Sequence, residues 1–276
     1  VDDMLLESYS WALAPIDGKL EAGHYAYTDL PNGNRIKQWI AWPGRGDDNY
    51  FEIAVIDGNG NRYELHHVNR RTLPQNIIDG LNSGNGVVTA GERIGQVVPW
   101  PTMFHYVHVH LNVFDSAGNA INPESVFEVI PDSIAPDVSF LAVYQDDSTE
   151  WLKEGSKLSK PVKSFIVSGA DAKDLHQYVQ AVPFIELTQN GVVLSQIDFR
   201  HTLLDAAGVF TDIRGFYPNT VRLSDKTLLR QPADFYPVAG TKFHQLLNVT
   251  GVVVGQPFQL KVQDMAGNAT VLSGQF

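Results

Sequence analysis

Glycine and proline punctuate this chain about every 8 to 12 residues, and short apolar or alternating runs stand between them in place of helix-period segments. With 23 glycines and 15 prolines among 276 residues, no long helix survives such interruption. Strands of a few residues joined by turns do. The predicted fold class is therefore all-β. Runs at 51–56, 87–89 and 94–98 predict strands in the first half. Runs at 138–144, 162–167, 184–189, 192–198, 252–254 and 258–263 predict them in the second. Asp115-Ser-Ala-Gly-Asn119 and Asp264-Met-Ala-Gly-Asn268 share a hairpin pattern, with Gly-Asn where positive φ is needed. Segments 200–212 and 218–247 predict long loops or a short helix.

The length exceeds that of a usual single domain. Two prolines fall within Pro131-Asp-Ser-Ile-Ala-Pro136 and favour an extended connection. The expected organisation is a first domain over 1–130, a linker over 131–137, and a second domain over 138–276. An immunoglobulin-like β-sandwich suits the second, without the Cys…Trp…Cys signature of antibody domains.

Cysteine is absent, which excludes disulfides and thiolate metal sites. Any metal must be held by His, Asp or Glu. A net charge of −11 argues against nucleic acid or anionic lipid as the main partner. It suits a cationic or neutral polymer, and solubility explains it equally well. No apolar run reaches the length of a membrane span. Val1 is an unusual translation start, so a mature exported protein is expected: secreted, periplasmic or at the cell surface.

Residues 105–113 alternate strictly. As a strand they place Tyr106, His108, His110 and Asn112 on one face, and Val107, Val109, Leu111 and Val113 on the other. Two imidazoles two positions apart stand side by side and can share one metal or one substrate. By contrast His24, His176, His201 and His244 are isolated, and His105 reads as structural. Asp47-Asp48, Asp146-Asp147 and 171–174 read as solvated loops, with Ca²⁺ at one of them left open.

Further motifs precede the histidine strand. They are Ala14-Pro15-Ile16-Asp17-Gly18, a hairpin through Asn59-Gly60 into His66-His67-Val68, and Val88-Thr-Ala-Gly91-Glu-Arg-Ile94-Gly95; Asn122-Pro123 follows the strand. In this order, over roughly residues 1–130, the elements resemble the LytM/lysostaphin-type zinc metallopeptidases, which cut peptide cross-bridges in bacterial cell walls. The resemblance implies a Zn²⁺ cofactor and hydrolysis of peptide bonds in peptidoglycan or related peptides. It makes His110 a metal ligand, with His67 and His108 as the imidazoles beside the metal-bound water. The family's ligand Asp lies about a dozen residues before the Pro of its Ala-Pro turn. Asp3, twelve before Pro15, matches it, with Asp2 next in line. The family's first His ligand would fall four residues upstream of Asp3, before Val1.

The chain departs from the pattern in its approach to the His pair, Trp100-Pro-Thr-Met-Phe-His-Tyr-Val107, which lacks the family's glycines. Asn112 stands where the family often has Glu, and an insertion over 70–85 follows His67. Strand alternation allows only one of His66 and His67 to face the site; the motif favours His67, leaving His66 as a surface or packing residue. A rival from another class is a non-catalytic relative that binds peptide, cell wall or a regulated partner without metal. A lipoyl- or biotinyl-type carrier is disfavoured, because neither Lys19 nor Lys37 sits in a modifiable hairpin.

Overall fold

The structure is a computed structural model. It describes residues 2–5, 10–29, 35–44, 51–98, 108–127, 131–174, 179–199, 201–202, 217, 220–230 and 241–276. Strand dominates, as the turn punctuation requires. The chain forms two compact units, Val1–Pro123 with His201–Thr211, and Glu124–Arg200 with Asp212–Phe276. Among the described residues no helix is long and apolar enough to cross a membrane.

The first unit runs through β1 (Asp2–Leu5), β2 (Trp11–Leu13), β3 (Gly18–Asp29), β4 (Arg35–Ala41), β5 (Glu52–Ile56), β6 (Arg62–His66) and β7 (Val68–Asn69). It continues through α1 (Gln75–Ser83), β8 (Val87–Val88), β9 (Arg93–Val97), β10 (His108–Phe114) and β11 (Ala120–Ile121). The main sheet has the order β11-β10-β6-β5-β3-β4, with β1 added to β10 and β8 to β3. A smaller sheet has the order β2-β9-β7. In β10 the alternation holds as the sequence demands: Val109, Leu111 and Val113 are buried, while His110 and Asn112 are half-buried. In β5 and β6, Ile53, Val55, Tyr63 and Leu65 join the core. Burying one such Val, Ile or Leu side chain contributes about 1.5–3 kcal/mol.

Two of the sequence motifs meet here. The Ala14 and Gly91 segments exchange backbone bonds (Ala14 N to Glu92 O, 2.8 Å; Gly91 N to Ala14 O, 2.9 Å). Asp17 accepts from Ala90 N at 2.7 Å, so the Pro-Ile-Asp-Gly turn clamps the turn before β9. Gly95 has φ +151°, and a Cβ there would lie 2.5 Å from a Val68 methyl. The 70–85 insertion folds as a 3₁₀ turn (Arg70–Thr72) and then α1. Asn69 caps the first by accepting from Arg71 N, α1 buries Ile77, and Gly84 ends it at φ 69°.

One turn type recurs. In Asp57-Gly-Asn-Gly-Asn61, Asp115-Ser-Ala-Gly-Asn119 and Asp264-Met-Ala-Gly-Asn268, the Asp carboxylate accepts from both the backbone N and the side-chain amide of the Asn four residues on. The intervening Gly60, Gly118 and Gly267 take φ of 83°, 87° and 97°, a region only glycine enters freely.

The rest of the chain contains β12 (Asp137–Tyr144), β13 (Thr149–Trp151), β14 (Ser156–Lys157), β15 (Val162–Ala172), β16 (Val179–Gln180), β17 (Phe184–Gln189) and β18 (Val192–Asp198). Then come β19 (His201–Thr202), β20 (Thr220–Arg222), β21 (Leu228–Arg230), β22 (Phe243–Asn248), β23 (Pro257–Gln263) and β24 (Ala269–Gln275). β19 belongs to the first unit, where it pairs with β11. In the second unit, β13-β12-β15-β16 with β22 on β15 forms one sheet and β14-β24-β23-β17-β18 another. The two share one hydrophobic core: Phe140, Phe165, Val167 and Leu247 from the first meet Ile185, Leu187, Phe258 and Leu260 from the second.

Three expectations are corrected. The 252–254 run is an exposed turn between Gly251 and Gly255, both at positive φ. The Gln189 side chain takes the place of a strand partner there, bonding Val253 N (2.9 Å) and Val253 O (2.8 Å). Among its described residues the 218–247 segment holds the β20–β21 hairpin and β22; β22 pairs with β15 and buries Gln245 and Leu247. Residues 203–216 and 231–240 lie outside the described residues. Finally, 171–174 is no solvated loop. Lys173, 3% exposed, sits with its ammonium 2.9–3.0 Å from Asp171, Asp132 and Glu124. Within this unit Ser133 N donates to Asp174 and Thr270 Oγ1 donates to Pro136 O. The Asp47-Asp48 pair lies outside the described residues, and Asp146 and Asp147 make exposed ion pairs with Lys160 and Lys163.

Candidate metal centre

Register determines which side chains share a face. β5 and β6 set Glu52 opposite His66 and Ala54 opposite Glu64, while β6 and β10 set Glu64 opposite Asn112. Opposed residues in an antiparallel pair present the same face, and so do residues two apart on one strand. Glu52, Glu64, His66, His110 and Asn112 therefore line one polar face, over a core of Ile53, Leu65, Val109 and Leu111.

Of the residues singled out by sequence, His67 and His110 come together with ring centroids 4.7 Å apart, edge to face. His67 is 6% exposed. β1 pairs antiparallel with β10 and sets Asp3 opposite His110, Leu5 opposite His108 and Asp2 opposite Leu111. Asp3 and His108 are thus placed by backbone register, and their side chains lie outside the described part. The approach segment 100–107, with His105, lies outside the described residues.

The expectation that only one of the paired histidines faces this site is overturned. His66 lies with its ring centroid 6.0 Å from His110, on the same side as His67. The cause is local: His67 has φ 64°, a left-handed residue that breaks the alternation between β6 and β7. Its carbonyl accepts from Val98 N at 2.8 Å, and Val68 N donates to Phe51 O at 3.1 Å. His66 is no surface residue. Its Nδ1 lies 2.7 Å from Glu52 Oε1, and its Nε2 lies 3.4 Å from Glu64 Oε2 and 2.7 Å from Asn112 Nδ2.

Glu64 is the anchor of this cluster. Its Oε1 accepts from Tyr25 Oη (2.9 Å) and Arg62 Nε (2.7 Å), and Arg62 also reaches Glu21 at 2.6 Å. Burial pushes the Glu64 carboxyl up, but hydrogen bonds from His66 and Arg62 and their charges outweigh it and leave it at about 2. For His66, burial acts downward, and the hydrogen bonds and charges of Glu52 and Glu64 overcome it and raise its pKa. Burial, then the Glu64 carboxylate, lifts the Tyr25 phenol above its ordinary range.

Glu52, Glu64 and His66 each offer one ligand atom within 4.8 Å of the others. So do Asp132, Asp171 and Asp264 in the second unit, where Lys173 already supplies a cation. Sequence reasoning passed over Glu52, Glu64, Arg62 and Tyr25. The signal was available for two of them: Arg62-Tyr-Glu64-Leu-His66 alternates as strictly as the His108 strand. No family model matches the chain, and no curated protein or solved structure matches it.

Proposed function

We propose that the first unit is a zinc-dependent endopeptidase domain that hydrolyses peptide bonds of peptidoglycan or related peptides outside the cytoplasm. One observation carries the reading. His67 and His110, from separate segments, bring their rings to 4.7 Å, with Asp3 in register opposite His110. Imidazole and carboxylate are the donors zinc takes in a chain without cysteine. His110 and Asp3 would hold the ion. Zinc, when bound, supplies a polarised scissile carbonyl and a water of lowered pKa.

The chain's own residues do the rest. His67 and His108 accept the proton released by the attacking water and return it to the leaving amine. His67 is suited to this: its carbonyl is tied to Val98 N and its ring is enclosed, so little order is lost on reaching a productive pose. The second unit, as an immunoglobulin-like sandwich, would position the catalytic unit or bind the wall; two sheets sharing one core support that assignment.

The test is release of peptide fragments from purified peptidoglycan by the zinc-supplied protein. Wild type releases them, and His110→Ala and His67→Ala each lower the rate by about 10²-fold or more. Absence of release by wild type overturns the reading. One observation favours the rival, a non-catalytic relative that binds wall peptide. The approach over 100–107 lacks the glycines of the peptidases it resembles, and Asn112 stands where they often have Glu. Retained binding of peptidoglycan without cleavage, unchanged by chelator, would establish it.

A further inference from the structure

We propose that Glu64, His66 and Asn112, with Glu52 behind His66, form a divalent-cation site on the polar face of the main sheet, taking a first-row ion such as Mn²⁺ or Zn²⁺. It does not rest on the peptidase reading, whose ligands are Asp3 and His110.

The first support is a set of acceptors left over. Glu64 Oε2, Glu52 Oε2 and Asn112 Oδ1 are buried, and apart from the 3.4 Å approach of His66 Nε2 to Glu64 Oε2 none has a hydrogen-bond partner among the described residues. The Glu64 and Glu52 side chains are 1% and 6% exposed, so water does not readily compensate. Arg62 and Tyr25 both bind Glu64 Oε1, which leaves Oε2 directed at His66.

The second support is the arrangement around His66. Asn112 Nδ2 lies 2.7 Å from His66 Nε2, so in this orientation Nε2 accepts and the ring proton sits on Nδ1, 2.7 Å from Glu52 Oε1. A carboxylate behind an imidazole, orienting its free nitrogen, is the arrangement that supports metal-ligating histidines. Nε2 also faces Glu64 Oε2 at 3.4 Å, so imidazole nitrogen and carboxylate oxygen converge on one point that a proton or a divalent ion can occupy. Turning the Asn112 amide adds Oδ1 as a third acceptor at the same point. A proton on Nε2 answers one acceptor; a divalent ion answers three. With bonds of about 2.0–2.2 Å, two ligands of a tetrahedral ion stand roughly 3.3–3.5 Å apart; the Nε2 to Oε2 separation of 3.4 Å matches this, while the Asn112 amide, 2.7 Å from Nε2, has to draw back by about 0.6–0.8 Å to join them. Mixed imidazole and oxygen donors suit first-row ions better than Ca²⁺.

The experiment is Mn²⁺ titration of the chelator-stripped chain, read by the paramagnetic resonance signal of the free ion. It compares wild type with Glu64→Gln, Glu52→Gln, Asn112→Leu and His110→Ala. Wild type takes up an equivalent that Glu64→Gln weakens at least about tenfold and Glu52→Gln about ten- to a hundredfold; His110→Ala retains it. Should Glu64→Gln fail to give the wild-type circular dichroism spectrum, Asn112→Leu carries the test with the same expected weakening, since it leaves the ion pairs in place. Equal binding by wild type and the Glu64 and Asn112 variants overturns the proposal. Loss of that same equivalent in His110→Ala also overturns it, because the ion would then belong to the His110 centre. Absence of peptidase activity leaves this readout unaffected, so the two failures are distinguishable.

Discussion

Each unit buries a cluster of carboxylates, and the two clusters solve the charge problem in different ways. In the second unit Lys173 is a permanent cation, in contact with Glu124, Asp132 and Asp171. In the first unit the carboxylates of Glu52 and Glu64 face an imidazole, which can be neutral or charged and can give way to a metal. A tethered ammonium makes a structural centre, whereas a histidine between carboxylates makes a chemically open one. The same inventory of acids is therefore locked by an ammonium in one unit and left, under the proposal above, open to a cation in the other.

The sharpest way to break this contrast is to remove the cation from each. Lys173→Met strands three buried carboxylates and is expected to destabilise the second unit by about 3–5 kcal/mol. His66→Gln keeps a hydrogen-bonding side chain and should cost only about 1–3 kcal/mol. Chemical denaturation of the full chain measures both. Equal costs would erase the distinction.

A smaller effect is pH-dependent. Burial, opposed by Lys173 but helped by Asp132 and Asp264, raises the Asp171 carboxyl from 3.8 to about 6. A raised acid pKa means that the folded state holds the proton more tightly than the unfolded one. Asp171 therefore favours folding at low pH, and that advantage is lost as pH rises from near 4 through 6, by at most about 3 kcal/mol. Asp171→Asn should abolish this component of the denaturation midpoint between pH 4 and 7. An unchanged profile in the variant would show that Asp171 is ionised throughout.

The smallest effect compares two turns of the same type. Asp115→Ala removes bonds to Ala117 N and Asn119 and should cost about 1–2 kcal/mol. Asp264→Ala loses the equivalent pair to Asn268 but relieves the repulsion on Asp171, so its cost should be lower. A larger loss for Asp264→Ala would mean that the turn outweighs the electrostatics.

These turns also mark what was legible in the sequence. Asp-x-x-Gly-Asn is a local code: the Asp reaches the Asn four residues on, and glycine takes the positive φ, so the hairpins at 115–119 and 264–268 follow from composition alone. The β10 face was equally readable, because period-two alternation places His110 and Asn112 opposite Val109 and Leu111. The pairing of His66 with His67 was not. It depends on one left-handed residue, and no local signal in His-His-Val demands φ 64°; the bond from Val98 N and the docking of β7 on β9 hold it there. The 252–254 valines misled for a similar reason, since a distant Gln189 side chain satisfies that backbone. Burial of 171–174 was hidden because acidic residues signal solvent unless their cation is known, and Lys173 is adjacent in sequence but meets Asp132 and Glu124 only through the fold.

The central claim is that the polar face of the first unit binds metal while the lysine-filled cluster of the second does not. Anomalous diffraction at the zinc edge, from crystals of the protein grown with zinc, tests it directly. The account predicts a peak beside His110 and Asp3, a second beside Glu64 and His66, and none at Lys173. A map without density at His110, or with its strongest peak among the Lys173 carboxylates, would contradict it.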